Sequence, residues 1–291
     1  MHANSMCISC IISKQEKLIR GFIDEDKKSE YIQKVLEILS KYGRAESSPQ
    51  LAERINHLYE QFWGMGEDYT AIKHEYNQLL LDKESDIVCK IKHSEDCLKE
   101  CIKYVSVGNY IDFSAVKNVN EKTLEDLMSK MNDKHISQEY PYFIEDLGHA
   151  KTLVYLTDNC GEIVLDKIFM RFIKEAYPNL KITAIVRGES VINDATIVDA
   201  EEVGLTEVVR CIGNGNAAPG TVSKRLSEEA RQALEAADMI ISKGQGNFES
   251  MYGEGFNPYY IFLCKCELFV RRFGLSQYEM VFTKEERIGS L

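Results

Sequence analysis

The sequence predicts an α/β fold: a Rossmann-like, mostly parallel sheet with an all-helical N-terminal region. Three observations carry that expectation. In the first half the apolar residues recur only at helical spacing, while from about Lys151 short β-rich runs alternate with helical ones. The β-rich runs are apolar throughout, as strands are when helices cover both faces of a parallel sheet. Polar and charged residues fall repeatedly where those runs end, which in open α/β sheets is where ligands bind. The expected organisation is residues 1–148 as a mainly helical region packed on the core, and 149–291 as a Rossmann-like domain with most of the site.

Ile8, Ile11, Ile12, Leu18, Ile19 and Phe22 predict the first helix, and Tyr31, Val35, Ile38 and Leu39 a second that stops at Gly43. Ser48-Pro49 reads as the cap and first turn of a third, whose face carries Leu51, Ile55, Leu58, Tyr59 and Phe62 and which ends near Gly64. Helical patterns continue to about Lys92 and from Ser94 to Val107, and are broken by GNYIDF at 108–113. A charged stretch then leads to Pro141. TLVYLTD is the first expected strand, followed by a helix to about Ala176, the strand KITAIVR, a helix near 193–200, the strand VVRCI, a helix from Ser227 and the strand DMIISKG. YYIFLCKC supplies a fifth strand, on which Cys264 and Cys266 would share one face.

An apolar content of 44% over 291 residues can fill a sizeable core. A formal charge of −11, with no basic cluster, argues against nucleic acid and anionic membranes as partners. No apolar stretch is long enough to span a bilayer and the N-terminus does not resemble a signal peptide, so the expected location is cytoplasmic. Nine cysteines, an odd number, do not read as a disulfide framework. Cys7 and Cys10 form a CxxC that could meet Cys264 and Cys266 around a soft metal, but reduced core thiols are the preferred reading.

The first strand ends in Asp158-Asn159, the second in Arg187-Gly188 with Asp194 soon after, and the fourth in Lys243-Gly244. Two carboxylates and an amide oxygen make an all-oxygen anionic set suited to Mg²⁺ or Mn²⁺ and tolerant of Co²⁺ or Ni²⁺. Arg187 and Lys243, beside glycines, suit phosphate oxygens, and such a combination serves phosphate-ester hydrolysis. The same Asp-Asn-x-Gly string is also ordinary turn and cap chemistry, and spacing alone leaves both readings open. Glu162, at the start of the following helix, can orient a water or merely favour the helix dipole. Asn109 and Asp112 would line the cleft from the helical side, or form a helix stop and cap. GNGNAAPG at 213–220 lacks the third glycine of a dinucleotide loop and reads as a loop beside the site. The histidines all precede the α/β half, and no G-x-S-x-G elbow is present.

TDNCGEIVLDK, VRGESVINDAT, ADMIISKGQGNFES and VGNYIDF, in that family's order along nearly the whole chain, resemble the motifs of the metal-dependent damage-control phosphatases, first catalogued as domain of unknown function 89. The early CxxC and the late Lys265-Cys266 resemble its prokaryotic branch. The resemblance implies a divalent metal held by Asp158, Asn159 and Asp194, a substrate phosphate contacted by Lys243, with Asn247 in the same loop, and hydrolysis of a small phosphorylated metabolite such as a sugar phosphate or a damaged metabolite. The position after Asn159, more often Ala or Ser in the pattern, is Cys160 here, a thiol that could make the site sensitive to oxidation. Two other readings are a carboxyl methyltransferase using S-adenosylmethionine, which the reduced glycine content after the first strand disfavours, and a non-catalytic metabolite- or metal-binding module.

Overall fold

A computed structural model describes residues 1–64, 68–109, 128 and 134–289. Helices occupy Ser5–Ile19, Glu25–Tyr42, Ser48–Trp63, Thr70–Leu81, Glu84–Lys92, Cys97–Gly108 and Lys134–His149 before the first strand. Their starts follow from capping. The Asn4 side chain accepts from the amides of Met6 and Cys7, Asp24 from Lys27 and Asp96 from Lys99. The third helix is capped by Ser47, one residue earlier than expected, with Pro49 in its first turn.

Strands β1 (Thr152–Leu156), β2 (Lys181–Val186), β3 (Arg210–Gly213), β4 (Met239–Lys243), β5 (Tyr259–Leu263) and β6 (Met280–Lys284) form one sheet of order β3-β2-β1-β4-β5-β6. The first five strands run parallel, and β6 adds antiparallel to β5. The order reverses between β1 and β4, so the connections leaving their carboxyl ends diverge and open a crevice there. The sheet is mostly parallel, as the sequence implies, but β6 was not expected. Cys264 and Cys266 also lie past the end of β5, so they do not share a strand face. The helix expected at 193–200 begins only at Ile197, because the preceding residues are drawn into backbone bridges beside the site.

Alternation along β1 explains the sheet's two covered faces. Leu153 and Tyr155 pack into a core shared with the helices Thr70–Leu81, Glu84–Lys92, Cys97–Gly108, Lys134–His149 and Glu162–Ala176, while Val154 and Leu156 face the opposite core with Phe248, Phe262 and Phe269. The first three helices enclose a separate small core around Tyr31, Val35, Leu51 and Ile55.

Candidate active site

β1 delivers Asp158 and Asn159, β2 delivers Arg187, and β4 delivers Lys243 to the same edge, because parallel register sets Leu156 beside both Ile185 and Ser242. The stretch after β2 folds back so that Asp194 bridges Asn159 and Thr196 bridges Arg187. Backbone hydrogen bonds secure the fold-back: the Ala195 amide donates to the Asp158 carbonyl at 2.8 Å and the Cys160 amide to the Asn193 carbonyl at 2.8 Å. Asp158, Asn159 and Asp194, distant in sequence, thereby share one buried patch.

Arg187 is 2% exposed and ties the patch together. Its guanidinium donates to Asp194 Oδ2 at 2.5 Å and to Asn247 Oδ1 at 3.0 Å, with Asp158 Oδ1 at 3.5 Å. Asn247 is fixed in turn by donating to the carbonyls of Thr157 and Lys243 and accepting from the Thr221 hydroxyl. Asn159 donates its amide to Asp158 Oδ2 and Glu162 Oε2, while its carbonyl oxygen accepts from Asn193 at 2.8 Å. Asn109 donates to the same two carboxylates, at 2.9 and 3.2 Å, from the end of the helix Cys97–Gly108. Asn109 thus reaches the cleft from the helical side, as the sequence suggests; Asp112 lies outside the described residues.

Lys243 departs from a simple phosphate hook. Its ammonium is fully buried and donates to Glu162 Oε1 at 2.5 Å and Asp166 Oδ1 at 2.8 Å, and Asp166 also accepts from the Tyr155 hydroxyl. Burial lowers the lysine's pKa, but Asp166 and Glu162 outweigh it and leave the pKa raised. Burial likewise raises Glu162, yet the charge and hydrogen bond of Lys243 and the amide of Asn159 hold it below the usual carboxylate value. Glu162 is therefore an anion. Asp158 behaves oppositely: burial first, then the charges of Glu162 and Asp194, push its carboxyl up to about 7 against the opposing pull of Arg187. Asp166, raised chiefly by burial, stands at about 6, and its Oδ2 is buried without a hydrogen-bond partner among the described residues.

These carboxylates are well suited to a divalent cation. Asp158, Glu162, Asp166 and Asp194 pair with Arg187 and Lys243, and the carboxyl of Asp158, raised first by burial, is raised further by the charges of Glu162 and Asp194. Among the described residues no three His, Cys, Asp or Glu side chains form a ready cluster, so the set depends on Asn159 for its third oxygen. Turning the Asn159 amide over would exchange its nitrogen for its oxygen beside Asp158. Gly244 adds a constraint of shape: a Cβ there would overlap the Asp158 carboxylate, and its φ of +80° favours glycine.

Several contributors carried no signal in the sequence. Asn193 stands beside Asp194 at the start of the helix expected near 193–200; Tyr155 sits inside an apolar strand, and Thr221 in a loop. Cys160 is 1% exposed and burial pushes its thiol up, so it holds no reactive thiolate and the expected oxidation sensitivity finds no support.

The damage-control phosphatase ARMT1-like domain matches residues 3–281. The chain belongs to this family. It is 31% identical over 291 residues to a damage-control phosphatase of Archaeoglobus fulgidus, spanning 97% of this chain and 98% of that one. It is also 29% identical over 248 residues to damage-control phosphatase PH1575 of Pyrococcus horikoshii, 84% of each chain. The crystal structure of the DUF89-family protein PH1575 superposes with a TM-score of 0.81 over 98% of this chain and 99% of that one, at 24% identity, and so shares the fold.

Proposed function

We propose that this damage-control phosphatase family member is a metal-dependent phosphomonoesterase acting on a small phosphorylated metabolite, a sugar phosphate or a damaged phosphometabolite, in the cytoplasm, with the residues from 149 onward forming the domain that carries most of the site. The observation that carries the reading is the convergence of Asp158, Asn159, Asp194, Arg187 and Lys243 at the carboxyl ends of β1, β2 and β4, where the sheet order reverses.

Asp158, Asn159 and Asp194 would hold the divalent ion, Mg²⁺, Mn²⁺, Co²⁺ or Ni²⁺, which when bound polarises a phosphoryl oxygen and favours ionisation of water. Glu162, kept ionised by Lys243, orients the attacking water and can take up its proton. Arg187 would supply positive charge toward the non-bridging oxygens, while Lys243, whose ammonium is taken up by Glu162 and Asp166, acts through Glu162, and Asn247 and Asn109 fix the groups around them. Low exposure of the whole set excludes bulk water and strengthens each of these interactions.

The test is phosphate release from a panel of phosphorylated metabolites with each of the four metals. Release above the metal-free control with at least one ester is expected, together with no binding of S-adenosylmethionine in a parallel titration. Silence across the panel, or methyl transfer in its place, would remove the reading.

A further inference from the structure

The helical region also enters the site, through Asn77. This residue lies on the buried face of the helix Thr70–Leu81, is 0% exposed, and uses both ends of its amide. Its Oδ1 accepts from the backbone amide of Gly161 at 2.6 Å, and its Nδ2 donates to Asp199 Oδ1 at 3.0 Å and Glu202 Oε2 at 2.7 Å.

Each end of that bridge stops beside a loop of the site. Gly161 is the second residue after Asn159 and has φ +69° and ψ −59°, with the Glu162 amide donating to the Cys160 carbonyl at 2.8 Å. That is a γ-turn of the rare, strained hand. It sets the spacing between Asn159 and Glu162, whose side chains meet at 2.9 Å. A strained turn persists only where its surroundings hold it, and the helix Thr70–Leu81 does so at close quarters: a Cβ on Gly161 would lie 3.2 Å from Tyr76.

At the other end, Asp199 Oδ2 accepts from both the amide and the hydroxyl of Thr196, at 2.8 and 2.7 Å, and from Lys73 at 2.6 Å. Thr196 is two residues after Asp194 and pairs with Arg187. The chain Gly161–Asn77–Asp199–Thr196 therefore links the two loops that carry the metal-ligand candidates. Only a group with a donor and an acceptor at this length can make both bonds, which suits an amide and excludes a carboxylate or an alkyl chain.

We propose that Asn77 is a positioning residue for the metal site, fixing the Asp158–Gly161 and Asp194–Thr196 loops relative to one another so that their oxygens meet one cation. The inference rests on the proposed metal site but is tested apart from turnover. Mn²⁺ is titrated calorimetrically into the full-length wild type, Asn77→Leu and Asn77→Asp, below the onset of melting. Asn77→Leu keeps the branched shape and deletes both bonds; Asn77→Asp keeps an acceptor for Gly161 but sets a negative charge against Asp199 and Glu202.

The expected Mn²⁺ dissociation constant rises roughly ten- to a hundredfold in Asn77→Leu and less in Asn77→Asp, as for other groups that orient ligands. A merely structural role would lower the number of sites per chain by partial unfolding and leave the dissociation constant unchanged. If Asn77→Leu does not fold, Asn77→Asp decides. Wild-type affinity in either folded variant would overturn the inference. A wild type that binds Mn²⁺ yet hydrolyses no ester would remove the phosphatase reading and leave this one standing; a wild type that binds none would overturn both.

Discussion

Asp158 is the residue whose chemistry is most tightly set by its surroundings. Because its carboxyl is raised to about 7 from an ordinary 3.8, the native metal-free chain holds a proton that the unfolded chain releases, and stability falls as pH rises between those values. Asp158→Asn should therefore raise the metal-free melting temperature, more at about pH 8 than at about pH 5, while abolishing hydrolysis. A gain that is larger in acid would contradict the assignment of charge. Lys243 gives the converse case. Lys243→Met leaves Glu162 and Asp166 buried without their cation and should cost about 3 kcal/mol or more in denaturant unfolding. The deficit should shrink toward pH 5 as the two acids take up protons, and a variant of undiminished stability would contradict a stabilising role for Lys243 between the two acids. The sequence offered both residues as site candidates by their place at strand ends. It could not offer the pairing of Lys243 with Asp166, because that pairing depends on how closely β4 lies to the helix Glu162–Ala176.

At the scale of elements, the turn after β1 does most to shape the site. Gly161→Ala forces a side chain into a positive-φ position against Tyr76 and should cost about 1–3 kcal/mol, read by denaturant unfolding, together with weaker Mn²⁺ binding. Loss of stability with unchanged metal affinity would separate the turn from the site. The parallel strands were legible because each is an apolar run flanked by helical periodicity. β6 was not, since MVFTK ends in polar residues, no α-helix follows it among the described residues, and its register is fixed only by pairing with β5. The helix Ile197–Glu202 starts later than its sequence implies for a related reason: residues 193–196 have helical neighbours in sequence, but their backbone groups are taken by the bridges to Asn159 and Arg187.

For the whole molecule, the topology was readable from the alternation of elements, and with it the edge of the sheet where the polar residues gather. The contribution of the helical region was not. Asn77 looks like one polar residue on an amphipathic helix, and its meaning appears only when that helix lies against Gly161 and Asp199. No helix among the described residues is long and apolar enough to cross a membrane. No three His, Cys, Asp or Glu side chains among the described residues form a metal-holding group, so protein purified without added metal should carry no stoichiometric zinc by elemental analysis. One zinc per chain, lost in Cys7→Ser, would instead make the CxxC a structural site. The central claim, that Asp158, Asn159 and Asp194 hold the metal on which phosphate-ester hydrolysis depends, is tested most directly by measuring Mn²⁺ binding and phosphate release side by side in the wild type and Asp194→Ala. Loss of both in a variant that still melts cooperatively, though at a lower temperature because Arg187 loses its partner, is the predicted result; a variant that binds Mn²⁺ and hydrolyses the ester as the wild type does would contradict it.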